Sequence, residues 1–148
     1  YAGQEGSWDA LMLPDSPAKP PQEFRGYVRA APAWGGWKGQ SAALAFACKD
    51  AQNFYFFGLE GNRCAWVLGA CQKGRLETLA ARGAPLKPQQ EYEIAIKPLP
   101  DGGVECWVDG DLILSSKAAA WKKGALGVMA GDKERIEFRQ LTTAPSPP

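Results

Sequence analysis

Apolar and polar residues alternate one by one over much of this chain. A period of two narrows the fold sharply, because only an extended strand sends successive side chains to opposite faces. From Glu23 to Ala30, Phe24, Gly26, Val28 and Ala30 alternate with Arg25, Tyr27 and Arg29. From Glu91 to Lys97, Tyr92, Ile94 and Ile96 share a face, and from Val104 to Val108, Val104, Cys106 and Val108 oppose Glu105 and Trp107, with Asp109 following on the latter side. Ala42 to Cys48 and Phe54 to Leu59 are nearly continuous apolar runs divided by Lys49-Asp50-Ala51-Gln52, which predicts a hairpin. Gly61-Asn62 offers a turn before Cys64 to Leu68, Gln72-Lys73-Gly74 another before Leu76 to Ala80, and Asp109-Gly110 a strong one before Leu112-Ile113-Leu114. Ala125 to Ala130 and Arg135 to Leu141 supply the last strands, and only Ser116 to Lys123 tolerates a helix, of about one turn. About ten short strands, with turn signals roughly every 8 to 12 residues, predict an all-β, two-sheet antiparallel sandwich of jelly-roll type.

With 148 residues the chain fits a single domain, expected over 1–141, and Thr142-Thr143-Ala144-Pro145-Ser146-Pro147-Pro148 reads as a linker toward neighbouring domains. Seventeen basic and sixteen acidic residues leave a net charge of +1, which supplies no footprint for phosphate backbones or anionic lipid. Neither a nucleic-acid partner nor membrane insertion is expected, and no apolar run approaches the ~20 residues that span a bilayer. Histidine is absent, which removes the usual general base and the Ser/His and Cys/His nucleophile pairs. Cys48, Cys64, Cys71 and Cys106 form no C-x-x-C pair and no zinc set, and each lies in an apolar run. Buried thiols and two disulfides both remain open. Gly35-Gly36-Trp37-Lys38-Gly39 lacks the order of a phosphate-binding loop and reads as a surface loop.

Phe24-Arg-Gly-Tyr-Val28, Ala43-Leu-Ala-Phe46, Asn53-Phe-Tyr-Phe-Phe57-Gly-Leu59, Tyr92-Glu-Ile-Ala-Ile96, Val104-Glu-Cys-Trp-Val-Asp-Gly110, Gly124-Ala-Leu-Gly-Val128 and Ile136-Glu-Phe138 follow one another in an order that resembles concanavalin A-like (laminin G-like) jelly rolls. The resemblance covers 23–141. It is greatest to the versions attached to bacterial carbohydrate-active enzymes, among them carbohydrate-binding modules and 3-keto-disaccharide hydrolase domains. Such membership implies two stacked sheets, often a sugar-binding surface, and sometimes a structural calcium. Fold alone does not settle function.

Glycoside hydrolysis needs two carboxyls roughly 5 to 9.5 Å apart, depending on mechanism. Glu105 and Asp109 share a face at ~13 Å backbone separation, and Glu91 and Glu93 at ~6.6 Å. Only the second pair suits an inverting geometry, and the E-x-D-x-x-E motif of hydrolases with this fold is absent. The six tryptophans favour binding instead, because a pyranose face packs its C–H groups on a flat ring while its hydroxyls seek polar partners. Trp34 and Trp37 flank a glycine pair in a loop poor in aliphatics. Trp107 faces away from the core beside Glu105, a hydrogen-bond acceptor, whereas Trp66 has no decided side. Phe54 and Phe56 alternate with Tyr55 and Phe57, so that strand shows aromatic surface on both faces. Arg25, Arg29, Arg135, Glu137 and Arg139 are expected to form a cross-strand charge ladder outside the site. Asp9, Asp15, Asp132 and Glu134 are calcium ligands by type only, with no loop motif to arrange them. The expectation is a non-catalytic carbohydrate-binding module, extracellular or periplasmic and part of a polysaccharide-processing protein, that docks an oligo- or polysaccharide on Trp107, Trp34, Trp37 and Trp66 with Glu105. The alternatives are a glycoside hydrolase using Glu91 or Glu93 and a protein-binding adhesion or assembly domain.

Overall fold

A computed structural model describes residues 8–13, 20–30, 41–61, 63–131 and 136–144. These residues form eleven strands and no helix: β1 (Trp8–Met12), β2 (Glu23–Ala30), β3 (Ser41–Asp50), β4 (Asn53–Glu60), β5 (Ala65–Gln72), β6 (Arg75–Gly83), β7 (Glu91–Pro98), β8 (Val104–Val108), β9 (Asp111–Ser116), β10 (Ala125–Gly131) and β11 (Ile136–Ala144). They build a five-stranded sheet in the order β9-β8-β7-β2-β11 and a six-stranded sheet in the order β1-β10-β3-β4-β5-β6. Every neighbouring pair is antiparallel. The two-sheet jelly-roll sandwich read from the period of two is therefore the fold.

Turn chemistry closes the hairpins. Lys73 and Gly74 have φ of 54° and 81°, and Asp109 and Gly110 have φ of 50° and 86°. Two successive left-handed residues make the type of turn whose twist matches that of the flanking strands. Between the sheets, Phe24 and Val28 of β2, Ile94 and Ile96 of β7, and Leu44 and Phe46 of β3 interdigitate with almost no exposure. Each such side chain contributes about 1.5–3 kcal/mol when withdrawn from water. Alternation thus sets which half of every strand is core, and the other half of the five-stranded sheet is left for water or a ligand.

The six-stranded sheet departs from that rule. Its outer face carries Ala43, Ala45, Phe54, Phe56, Val67 and Met129 in a second buried apolar cluster. Phe56, only 7% exposed, lies across Gly69, where a side chain would run into its ring. The aromatic surface expected on both faces of β4 is thus present, Tyr55 and Phe57 inward and Phe54 and Phe56 outward, and both faces are shielded.

Some boundaries differ from the sequence reading. β1 escapes it, because Trp-Asp-Ala-Leu-Met shows no alternation and pairs along one side only, with β10. At the other end β11 takes up Thr142, Thr143 and Ala144, which composition assigns to a linker, by pairing them with Arg25, Phe24 and Glu23. The 116–123 stretch forms the end of β9 followed by bends, with no helical turn. All four cysteines are free thiols; Cys48, Cys71 and Cys106 are buried and Cys64 is exposed.

Candidate functional site

The outer face of the five-stranded sheet is a grid fixed by strand register. Leu112, Trp107, Ala95, Arg25 and Thr142 lie side by side in one row across β9, β8, β7, β2 and β11. Beside it runs a row containing Ser115, Glu105 and Lys97, continued on β2 by Glu23. On the other side Glu93, Tyr27 and Arg139 follow, and then Glu91, Arg29 and Glu137. The sheet so presents one apolar run, Leu112-Trp107-Ala95, inside a field of alternating charge.

Trp107 is positioned by its neighbours. Ala95 points away from the core yet is only 7% exposed, shielded by the larger side chains on either side of it, Trp107 and Arg25. The Lys97 ammonium stands 4.4 Å from the centroid of the indole. Glu23, Arg25, Glu93, Ala95, Lys97, Trp107 and Gly110 together line a shallow depression of about 140 Å³. A water takes about 30 Å³ in the liquid, so the hollow has room for a few waters or one small polar ring, far less than a drug-sized pocket.

The charges around the indole are engaged but not exhausted. Arg25 donates through Nε to Glu23 at 2.5 Å and through Nη1 to Glu93 at 3.3 Å, and the bond to Glu23 raises the guanidinium pKa further. Lys97 stands 3.7 Å from Glu23, so that one carboxylate serves two cations. Glu105 has no ion-pair partner among the described residues, although it faces Lys97 directly in register. The indole Nε1 of Trp107 is buried and has no hydrogen-bond partner among the described residues. An unmade bond at a buried donor costs about 1–3 kcal/mol.

The ladder expected from Arg25, Arg29, Glu137 and Arg139 is present where it can be described. Arg29 meets Glu137 at 2.7 Å, and Arg139 grips Glu91 in a two-pronged bond, Nε to Oε2 at 2.6 Å and Nη2 to Oε1 at 2.5 Å. Arg135 lies outside the described residues. Arg25, which the sequence reading leaves out of the site, in fact lines the depression, and so do Glu23, Glu93 and Lys97. Only the offset between β2, β7 and β8 brings these residues to Trp107. The available signal was the alternation of both β2 and β7, which puts Glu23, Arg25, Glu93 and Lys97 on outward faces.

Glu91 and Glu93 do not form a reactive pair. Each is held by a different arginine, and the Arg139 guanidinium keeps the Glu91 carboxyl below its ordinary range, the opposite of what a general acid needs. Trp66 requires a correction: it is 3% exposed and points between the sheets, stacked on Phe57 at 5.8 Å and edge-on to Tyr92 at 5.2 Å. Its neighbours Ala65 and Val67 take the outer side of β5, so a ligand cannot reach the ring. Trp34 and Trp37 lie outside the described residues. Asp15, Asp132 and Glu134 do too, and the side chain of Asp9 is not described; among the described residues no group of three or more His, Cys, Asp or Glu side chains could hold a metal.

No protein-family model matches the sequence, and no curated protein matches it significantly. Solved structures match the fold. Carbohydrate binding module CBM66 from Bacillus subtilis superimposes with a TM-score of 0.78 at 16% identity, covering 95% of this chain and 84% of its own. A toad ovary galectin in complex with thio-digalactose gives 0.59 at 16% identity, over 93% of this chain and 98% of the galectin. A native glycosidic hydrolase gives 0.66 at 11% identity, over 93% and 70% respectively. The fold, a two-sheet jelly-roll sandwich, is thus one these structures share.

Proposed function

We propose that this chain is a non-catalytic carbohydrate-binding module that docks a glycan on the Trp107 face of its five-stranded sheet. One observation carries the reading: Trp107 offers a ring to a hollow whose lining holds both hydrogen-bond donors and acceptors. That combination suits a pyranose, which has an apolar C–H face and hydroxyls that both give and accept protons. Arg25 and Lys97 supply donors; Glu23, Glu93 and Glu105 supply acceptors. The outer face of the six-stranded sheet is less suited, since its cluster of alanine, phenylalanine, valine and methionine side chains has nothing to bond a hydroxyl. Neighbours of known structure that are named as a carbohydrate-binding module or that hold thio-digalactose agree with the reading.

The non-catalytic part of the proposal rests on the absent E-x-D-x-x-E motif and on the engagement of Glu91 and Glu93 by arginines. An extracellular or periplasmic setting, within a longer polysaccharide-processing protein, completes it. Three of the four thiols are buried and so shielded from exchange in an oxidising compartment, while Cys64 is exposed. Calorimetric titration against a panel of oligosaccharides tests the proposal, with Trp107→Ala alongside. Binding that falls at least about tenfold in the variant supports it; binding indifferent to Trp107 removes the assigned site, and hydrolysis of any panel member would favour the enzyme reading.

A further inference from the structure

A cation already stands over the aromatic ring of Trp107 in the folded chain. The Lys97 ammonium sits on the Trp107 indole and beside Glu23. On the opposite side, in β8, Glu105 faces Lys97 with no ion-pair partner among the described residues. Glu23, Arg25, Glu93 and Lys97 line the hollow, two acidic and two basic, and Glu105 beside them in register adds a third carboxylate. Glu23 and Glu93 offset Arg25 and Lys97, so Glu105 is the carboxylate of this group without an ion-pair partner among the described residues.

Consider what a ligand must do to reach the ring. A neutral sugar displaces the Lys97 ammonium and forfeits both the cation–π contact and the Glu23 pair, each worth about 0.5–1 kcal/mol at an exposed site. An ammonium-bearing sugar replaces the same charge over the same ring between the same carboxylates, while Lys97, with 40% of its side chain exposed, swings into water. The difference between the two ligands is therefore the electrostatic part alone.

We propose that the Trp107 site selects glycans built of amino sugars with a free, protonated amino group, which take the place of the Lys97 ammonium. This rests on the glycan-docking reading above and adds the class of sugar to it. The test uses the unaltered protein and three oligosaccharides of equal length and linkage, made of glucosamine, N-acetylglucosamine and glucose, titrated calorimetrically at neutral pH. The glucosamine oligomer is expected to bind about tenfold tighter than the other two, the combined size of the two contacts it restores. In Lys97→Met, which keeps the stem and removes the charge, both kinds of oligomer should bind tighter with the preference kept; in Glu105→Gln the preference should narrow. Equal or tighter binding of a neutral oligomer, lost in Trp107→Ala, overturns the amino-sugar inference and leaves glycan docking standing. Absence of binding by all three, with the wider oligosaccharide panel also silent, overturns both.

Discussion

Ala95 lies directly opposite Trp107 in the β7–β8 ladder, and the smallness of the one leaves room for the ring of the other at the floor of the hollow. Cross-strand partners on one face have Cβ atoms only about 5 Å apart, so a bulkier residue at 95 would contend with the indole for the same space. Ala95→Leu should raise the ring, erase the depression and weaken glycan binding about tenfold or more, while costing roughly 1–3 kcal/mol of stability. Titration and urea unfolding of the same variant separate the two effects; a strong loss of stability with unchanged affinity would count against the geometry.

Trp66 and Trp107 should behave oppositely. Trp66→Ala empties a space between Phe57 and Tyr92 in the core and should cost about 3–5 kcal/mol in denaturant unfolding. Trp107→Ala, on the outer face, should cost about 1 kcal/mol or less. Equal costs would mean that the two faces of the sandwich have been assigned wrongly.

The Glu91–Arg139 pair makes a prediction about acid. The guanidinium lowers the folded-state pKa of Glu91 from its ordinary 4.5, so the carboxylate stabilises the folded chain above that value and the contribution is lost as pH falls through and below it. Asp50 and Asp101 are lowered from 3.8 by hydrogen bonds from the Gln52 amide and from Lys117 respectively, and act with the same sign. Urea midpoints of Glu91→Gln and the unaltered protein should differ near neutrality and converge at strongly acid pH. Both side chains are exposed, so the difference is small and shrinks further in salt.

Thiol chemistry should distinguish one cysteine from three. Burial pushes the Cys48 thiol up to about 12 and raises Cys71 and Cys106 too, whereas Cys64 is exposed. A thiol reagent should modify one of the four cysteines in the folded protein and all four in denaturant. Reductant should leave the unfolding midpoint unmoved. Fewer than four reactive thiols in denaturant would reveal a disulfide.

Sandwich architecture was legible because alternation is a local property of sequence. The runs at β2, β7 and β8 state which side of each strand is wet, and Asp109-Gly110 states where one hairpin turns. β1 was not legible, since five residues with no alternation carry no period. β11 was cut short because Thr142-Thr143-Ala144 looks like linker until Phe24 and its neighbours pair with it. For the site, the outward direction of Trp107 and Glu105 could be read from β8 alone. Its partners could not, because Lys97, Glu23 and Arg25 reach the indole through the offset between three strands, and register across strands distant in sequence is set by the whole core. Trp66 stayed undecided because every residue of β5 from Ala65 to Cys71 is buried, which leaves no polar mark on either face.

Calorimetric titration of an oligosaccharide panel against the unaltered protein and Trp107→Ala decides whether Trp107 forms the floor of a glycan site. At least one oligosaccharide should bind, and the affinity should fall about tenfold or more in a variant whose unfolding midpoint is nearly unchanged. Binding that survives the substitution intact, or a panel that yields none, would contradict that role for Trp107.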